Sequence, residues 1–231
     1  MTQLEAVLFD LDGTLVQYKR SPGEVLEEAF DAVGCNSLFS VEDYYARYDE
    51  FAEKCASMEE LRSDCFAALA AANGYDRQRG RAVANAFNEE RDQTRVELLP
   101  GVSDVLDELS HAYRLAIVTN GAPDAQQQKI NAVNLTQWVD ETIIAGHDIS
   151  PKPDPEPFDR ALRSLNVTST ATVHVGDSPE TDIAGATAAG IASVLVSETD
   201  RHKEYTPTYR IESIRELLSL PWIERPAPRD R

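Results

Sequence analysis

The sequence predicts an α/β protein: a Rossmann-like, doubly wound parallel sheet of about five strands, interrupted once by an all-helical insertion. Three observations carry this. Five short, nearly continuous apolar runs have the character of strands covered on both faces. Segments of helical period alternate with them, the pattern of right-handed strand–helix–strand units. From about Val16 to Glu97 helical periodicity takes over and strand signals vanish.

The first run, residues 6–9, ends abruptly in Asp10-Leu11-Asp12-Gly13-Thr14, two carboxylates and a glycine turn on the rim of a buried strand. In the insertion, Val41, Tyr44, Tyr45, Tyr48 and Cys55 recur at helical spacings, as do Leu61, Cys65, Phe66, Leu69 and Ala72. These read as the core of packed helices. Ser21 before Pro22, Ser40 with Asp43, and Ser57 with Glu60 are N-cap signals, the last a full capping box, and Gly34 and Gly74 suit helix ends. Beyond the insertion, residues 102–110, 122–134, 155–165 and 179–189 have helical period, the last followed by Gly190 as a C-cap. They alternate with strands predicted at 115–118, 142–145, 172–175 and 193–196. The proline-rich end, residues 221–231, reads as a flexible tail.

Composition narrows the function classes. With 40 acidic against 22 basic residues, the net charge of −18 argues against a nucleic-acid partner. Such an excess repels itself in dilute buffer and is screened in concentrated salt, so it points to a salt-adapted, halophilic host. Cys35, Cys55 and Cys65 are odd in number and lack metal-ligand spacing, which leaves no disulfide framework or zinc site to expect. No run approaches the ~18 apolar residues of a membrane span, and the first is too short for a signal-peptide core. A cytoplasmic protein is expected, with no membrane partner, as a monomer or homodimer.

Each predicted strand end delivers polar groups to one sheet edge, where such domains collect ligands. After the strand at 115–118 comes Thr119-Asn120-Gly121. The loop after 142–145 leads to Lys152-Pro153. After 172–175 come Gly176-Asp177-Ser178 and, five positions beyond Asp177, Asp182. Singly these are turn and loop residues; four in order along one edge constitute a site.

The four segments resemble the motifs of the haloacid dehalogenase superfamily of phosphatases, over the whole chain apart from its tail. The resemblance implies a Rossmann-like core (residues 1–15 and 97–220) with a helical cap (16–96) inserted after the first motif, as in phosphoglycolate-phosphatase-like members. The insertion would then be a lid over the site. The implied reaction is hydrolysis of a small soluble phosphate monoester, a phosphorylated metabolite. Asp10 would attack phosphorus and form an aspartyl-phosphate, while Asp12 would protonate the leaving oxygen and then deprotonate water. Mg²⁺ would be held by Asp10, Asp177 and the backbone carbonyl of Asp12, with Asp182 as a ligand or orienting acceptor. Lys152 would supply positive charge among these carboxylates. Thr119, with the N–H groups of Asn120 and Gly121 opening a helix, would bind the phosphate. His174, inside a strand, reads as packed core.

The chain departs from the pattern in one respect. Leu15-Val16-Gln17-Tyr18 carries no acid where many capped relatives have one, so the resemblance does not single out phosphoglycolate as the substrate. Dehalogenation is disfavoured by Asp12, since a departing halide needs no proton. A phosphomutase keeps both aspartates and fits the motifs equally, whereas a non-catalytic phospho-ligand sensor would have lost one of these acids.

Overall fold

The computed structural model describes residues 3–52, 54–55, 57–197 and 204–221. Strands β1 (Ala6–Phe9) and β2 (Val16–Tyr18) lead into four helices, α1 (Pro22–Val33), α2 (Val41–Ala52), α3 (Met58–Ala72) and α4 (Arg77–Glu90). The chain returns through β3 (Val96–Leu98) to α5 (Val102–Ser110), β4 (Arg114–Asn120), α6 (Pro123–Ala132), β5 (Glu141–Ala145), α7 (Glu156–Leu165) and β6 (Thr172–Gly176). A π-helical turn at Pro179–Ile183 runs into α8 (Ala184–Ala188), followed by β7 (Ala192–Val196) and β8 (Tyr209–Ile211). Two compact units result: Met1–Gln17 with Val96–Arg231, and Tyr18–Arg95.

In the first unit the sheet order is β5-β4-β1-β6-β7-β8, with parallel pairings throughout. β1 lies inside the sheet, its four residues in register with Arg114–Ile117 of β4 and Thr172–Val175 of β6. All four are fully buried, which is why this strand reads as an unbroken apolar run. The sheet has six strands rather than about five. β8 is three residues long and buries only Ile211, too little to register as an apolar run. β2 and β3 are likewise short strands with one buried residue each, and they pair in a separate two-stranded sheet within a stretch that reads as helical from sequence. The helix expected at 179–189 is divided, because the π turn inserts an extra residue before α8 begins. The tail expected at 221–231 lies outside the described residues from 222 onward.

The second unit is built by packing its helices on a shared apolar face. At α1 the Ser21 hydroxyl accepts from the Glu24 N–H while the Glu24 carboxylate accepts from the Ser21 N–H, and Gly34 ends the helix at φ 69°. Ser40 and Asp43 make the same reciprocal pair ahead of α2, and the Ser57 hydroxyl accepts from the Glu60 N–H. Phe66 is fully buried, edge-on to Phe39, Tyr44 and Phe87 at 4.9, 5.1 and 5.5 Å between ring centroids. Removing such a ring leaves a void worth about 3–5 kcal/mol. Of the tyrosines on α2, Tyr44 belongs to this core, but Tyr45 points outward and is 52 % exposed. Among the described residues, no helix is long and apolar enough to cross a membrane.

Candidate active site

The carboxyl ends of β1, β4 and β6 deliver their side chains to one edge of the sheet. Asp10 follows β1 directly, and its N–H donates to Val175 O at 2.9 Å, so the ladder that fixes β1 also fixes this residue. The chain then turns at Gly13, whose N–H donates to Val16 O, while the N–H groups of Leu15 and Val16 both converge on Leu11 O. Gly13 has φ 81°, and a Cβ there would lie 2.3 Å from Asp177 Oδ2. Only glycine satisfies both conditions. Gly176 is required for a different reason: a Cβ on it would stand 2.2 Å from Cγ of Asp182.

Lys152 is the hub. Its ammonium, almost fully buried, donates to Asp10 Oδ1 at 2.7 Å, Val118 O at 2.7 Å and Asp182 Oδ1 at 2.6 Å, which uses all three of its hydrogens. No hydrogen is left for a ligand, so what Lys152 could offer one is its charge and the carboxylate it orients. Burial alone would pull its pKa down, but Asp10 and Asp182 outweigh that and hold it above the ordinary value. The backbone of Lys152 is fixed by Asn120, whose amide group donates to Lys152 O at 2.9 Å and accepts from Lys152 N at 2.8 Å.

Asp182 sits behind this lysine. Its Oδ1 also accepts from His174 Nε2 at 3.0 Å, and its Oδ2 accepts from the Ser178 N–H at 3.0 Å. Burial would raise its pKa, yet the His174 hydrogen bond and the Lys152 charge hold it well below the carboxylate range. His174, packed against Phe158, is kept neutral by burial and carries its proton on Nε2 because the carboxylate it faces can only accept. Asp10 is the opposite case. Burial pushes its carboxyl up to about 7 against the pull of Lys152, and Oδ2 takes no hydrogen bond among the described residues. Asp177, at the open side, is lifted to about 6 by desolvation and by the charge of Asp182.

Carboxylate oxygens of Asp10, Asp177 and Asp182 lie within 4.8 Å of one another. Three hard oxygen donors this close, two of them with pKa values raised by burial and by neighbouring acids, form a set suited to a divalent cation, and the glycine at 13 lets the Asp12–Gly13 backbone approach Asp177. The carboxylate of Asp12 does not join this group. It turns toward α6, where Lys129 Nζ donates to both of its oxygens at 2.7 and 2.8 Å and Gln126 Nε2 donates to Oδ2 at 2.9 Å.

The residues at the end of β4 differ from expectation. The N–H groups of Asn120 and Gly121 do not open a helix, which begins at Pro123; the Gly121 N–H donates to Ala145 O at 2.8 Å, and the Asn120 side chain is held by Lys152. The Thr119 hydroxyl accepts from Gln126 Nε2 at 2.7 Å. Sequence reasoning missed Gln126, Lys129 and the bonded role of His174. No sequence signal marks them: that positions 126, 129 and 130 share a buried face of α6 is visible only in the fold.

Residues 7–196 match the family model described as Haloacid dehalogenase-like hydrolase. A phosphoserine phosphatase of Thermus thermophilus is 28 % identical, with 93 % of this chain and 98 % of that protein covered. The pyrophosphatase PpaX of Bacillus mycoides is 26 % identical over 96 % of this chain and 98 % of its own. Among solved structures, the magnesium-bound hydrolase YfnB of Bacillus subtilis aligns with a TM-score of 0.75 at 22 % identity, covering 94 % of this chain and 98 % of that one. With a parallel six-stranded sheet, acids at its carboxyl edge and a family match over most of its length, this chain belongs to the haloacid dehalogenase-like hydrolases.

Proposed function

We propose that the chain is a Mg²⁺-dependent phosphatase that hydrolyses a small soluble phosphate monoester through an aspartyl-phosphate on Asp10. The observation that carries this reading is the environment of Asp10. One oxygen is pinned by the buried ammonium of Lys152, Oδ2 takes no hydrogen bond among the described residues, and the carboxylate lies within 4.8 Å of oxygens of Asp177 and Asp182. A pinned carboxylate with one unbonded oxygen is a nucleophile with its direction already set. The related phosphoserine phosphatase and pyrophosphatase support phosphoryl chemistry for such a site.

Mg²⁺, held by Asp10, Asp177, the Asp12 backbone carbonyl and, directly or through water, Asp182, would neutralise charge on the transferring phosphoryl group. The protein's residues do the remainder. Lys152 offsets the negative charge of three acids, so that a dianionic ester is not repelled. Asp12 gives a proton to the leaving oxygen and later takes one from water. Thr119, next to this loop, presents a hydroxyl to the phosphate. The helical unit is the part we propose as the lid and the source of substrate choice.

The test is a panel of phosphoserine, glyceraldehyde 3-phosphate, pyrophosphate, nucleoside monophosphates and sugar phosphates, assayed with Mg²⁺ and with chelator in concentrated KCl. At least one ester is expected to turn over only with Mg²⁺, and Asp10→Asn is expected to lose that activity while keeping the wild-type circular dichroism. Undiminished turnover by Asp10→Asn would refute the assignment.

A further inference from the structure

Helix α6 buries two side chains that ordinarily remain in water. Gln126 is 2 % exposed and Lys129 6 % exposed, three residues apart on the same face of the helix. A buried ammonium requires an opposite charge, and Lys129 meets that of Asp12, 117 positions earlier in the chain. Nζ donates to both oxygens of that carboxylate. Gln126 Nε2 adds a third contact to Asp12 Oδ2 and also reaches Thr119 Oγ1 at 2.7 Å and Asn120 O at 3.0 Å. The two amide hydrogens are thus shared among three acceptors that belong to two segments of the site.

We infer that Lys129, with Gln126, is a positioning residue for Asp12, fixing its carboxylate in the orientation that receives a proton from water during breakdown of the phosphorylated enzyme. The inference rests on the reading of Asp12 as the acid–base group. Asp12 sits in a turn with 41 % of its side chain exposed, so without the helix its carboxylate is free to sweep among rotamers. With the helix in place, both of its oxygens accept from the Lys129 ammonium, at 2.7 and 2.8 Å. In the step concerned, the water oxygen forms a bond to phosphorus and the bond from phosphorus to Asp10 breaks. Its electron pair returns to the Asp10 carboxylate, and the proton leaving water passes to Asp12. A base misplaced by about 1 Å costs on the order of 10²-fold in such a step.

The inference separates from a merely structural strut through kinetics on p-nitrophenyl phosphate, whose leaving group departs without a proton. The first half-reaction then needs no acid, and only the second depends on Asp12. For Lys129→Met, kcat and KM are expected to fall together by about 10²-fold with kcat/KM unchanged. A burst of p-nitrophenol and phosphorylated protein in acid-quenched intact-mass spectra should accompany this, and Lys129→Arg should recover part of the loss. If Lys129→Met does not fold, Gln126→Leu, which strands no buried charge, is expected to give the same pattern at smaller amplitude. A drop in kcat/KM without a burst, or wild-type kinetics in the soluble variants, would overturn the positioning role. Absence of Asp10-dependent turnover in the wild-type protein would count instead against the phosphatase reading itself.

Discussion

Gly13 and Gly176 hold open the space in which the carboxylates meet. A methyl group at 13 would incur about 1–2 kcal/mol for its left-handed backbone and would also collide with Asp177 Oδ2. Gly13→Ala is therefore expected to lower the thermal midpoint by a few degrees and to reduce turnover by more than that loss of folded protein explains; unchanged activity would contradict the close approach. At this scale the sequence is most legible where polarity changes suddenly. Asp10, Thr119 and Asp177 stand at the ends of buried apolar runs, where each alone reads as a turn residue and together they mark one sheet edge. Gln126 and Lys129 were illegible because a polar residue on a helix reads as solvated, and only the fold reveals the distant carboxylate that makes their burial tolerable. His174 reads correctly as buried, but the turn that brings Asp182 beneath it is not encoded in its own strand.

Among the elements, helix starts were written locally and short strands were not. The pairs at Ser21–Glu24 and Ser40–Asp43 act within four residues and need nothing from the remainder of the molecule. β2, β3 and β8 exist because of partners far along the chain, and three residues with one buried position carry no periodicity to detect. The caps also bear on acid stability. Glu24 is held below its ordinary value of 4.5, first by the backbone N–H of Ser21 and then by its hydroxyl. A carboxylate with a depressed folded pKa contributes stability that is present above its unfolded pKa and is lost as pH falls through the folded one. Glu24→Gln is thus expected to destabilise the protein near neutrality and to make the decline of its thermal midpoint below pH 4.5 shallower than in wild type. Parallel midpoint-versus-pH curves for the two proteins would show that this cap has no such role.

For the whole molecule, the alternation of strands and helical segments sufficed to place five of the six parallel strands, since those five are long enough to be apolar throughout or nearly so. The two-unit division follows from the same contrast, a helical stretch enclosed by strand-bearing segments. Net charge acts at this scale alone. A surplus of 18 negative charges repels itself over a screening length of ~10 Å at 0.1 M salt and ~3 Å at 1 M. The thermal midpoint is expected to be higher in molar KCl than in dilute buffer, and the reverse order would exclude salt adaptation. We propose one oxygen atom, Oδ2 of Asp10, as the nucleophile toward phosphorus. Acid quenching during turnover with Mg²⁺, followed by peptide mapping, tests it most directly. The expected result is phosphate on the peptide that carries Asp10 and none on the same peptide of Asp10→Asn; phosphate on another residue, or full turnover by that variant, would contradict it.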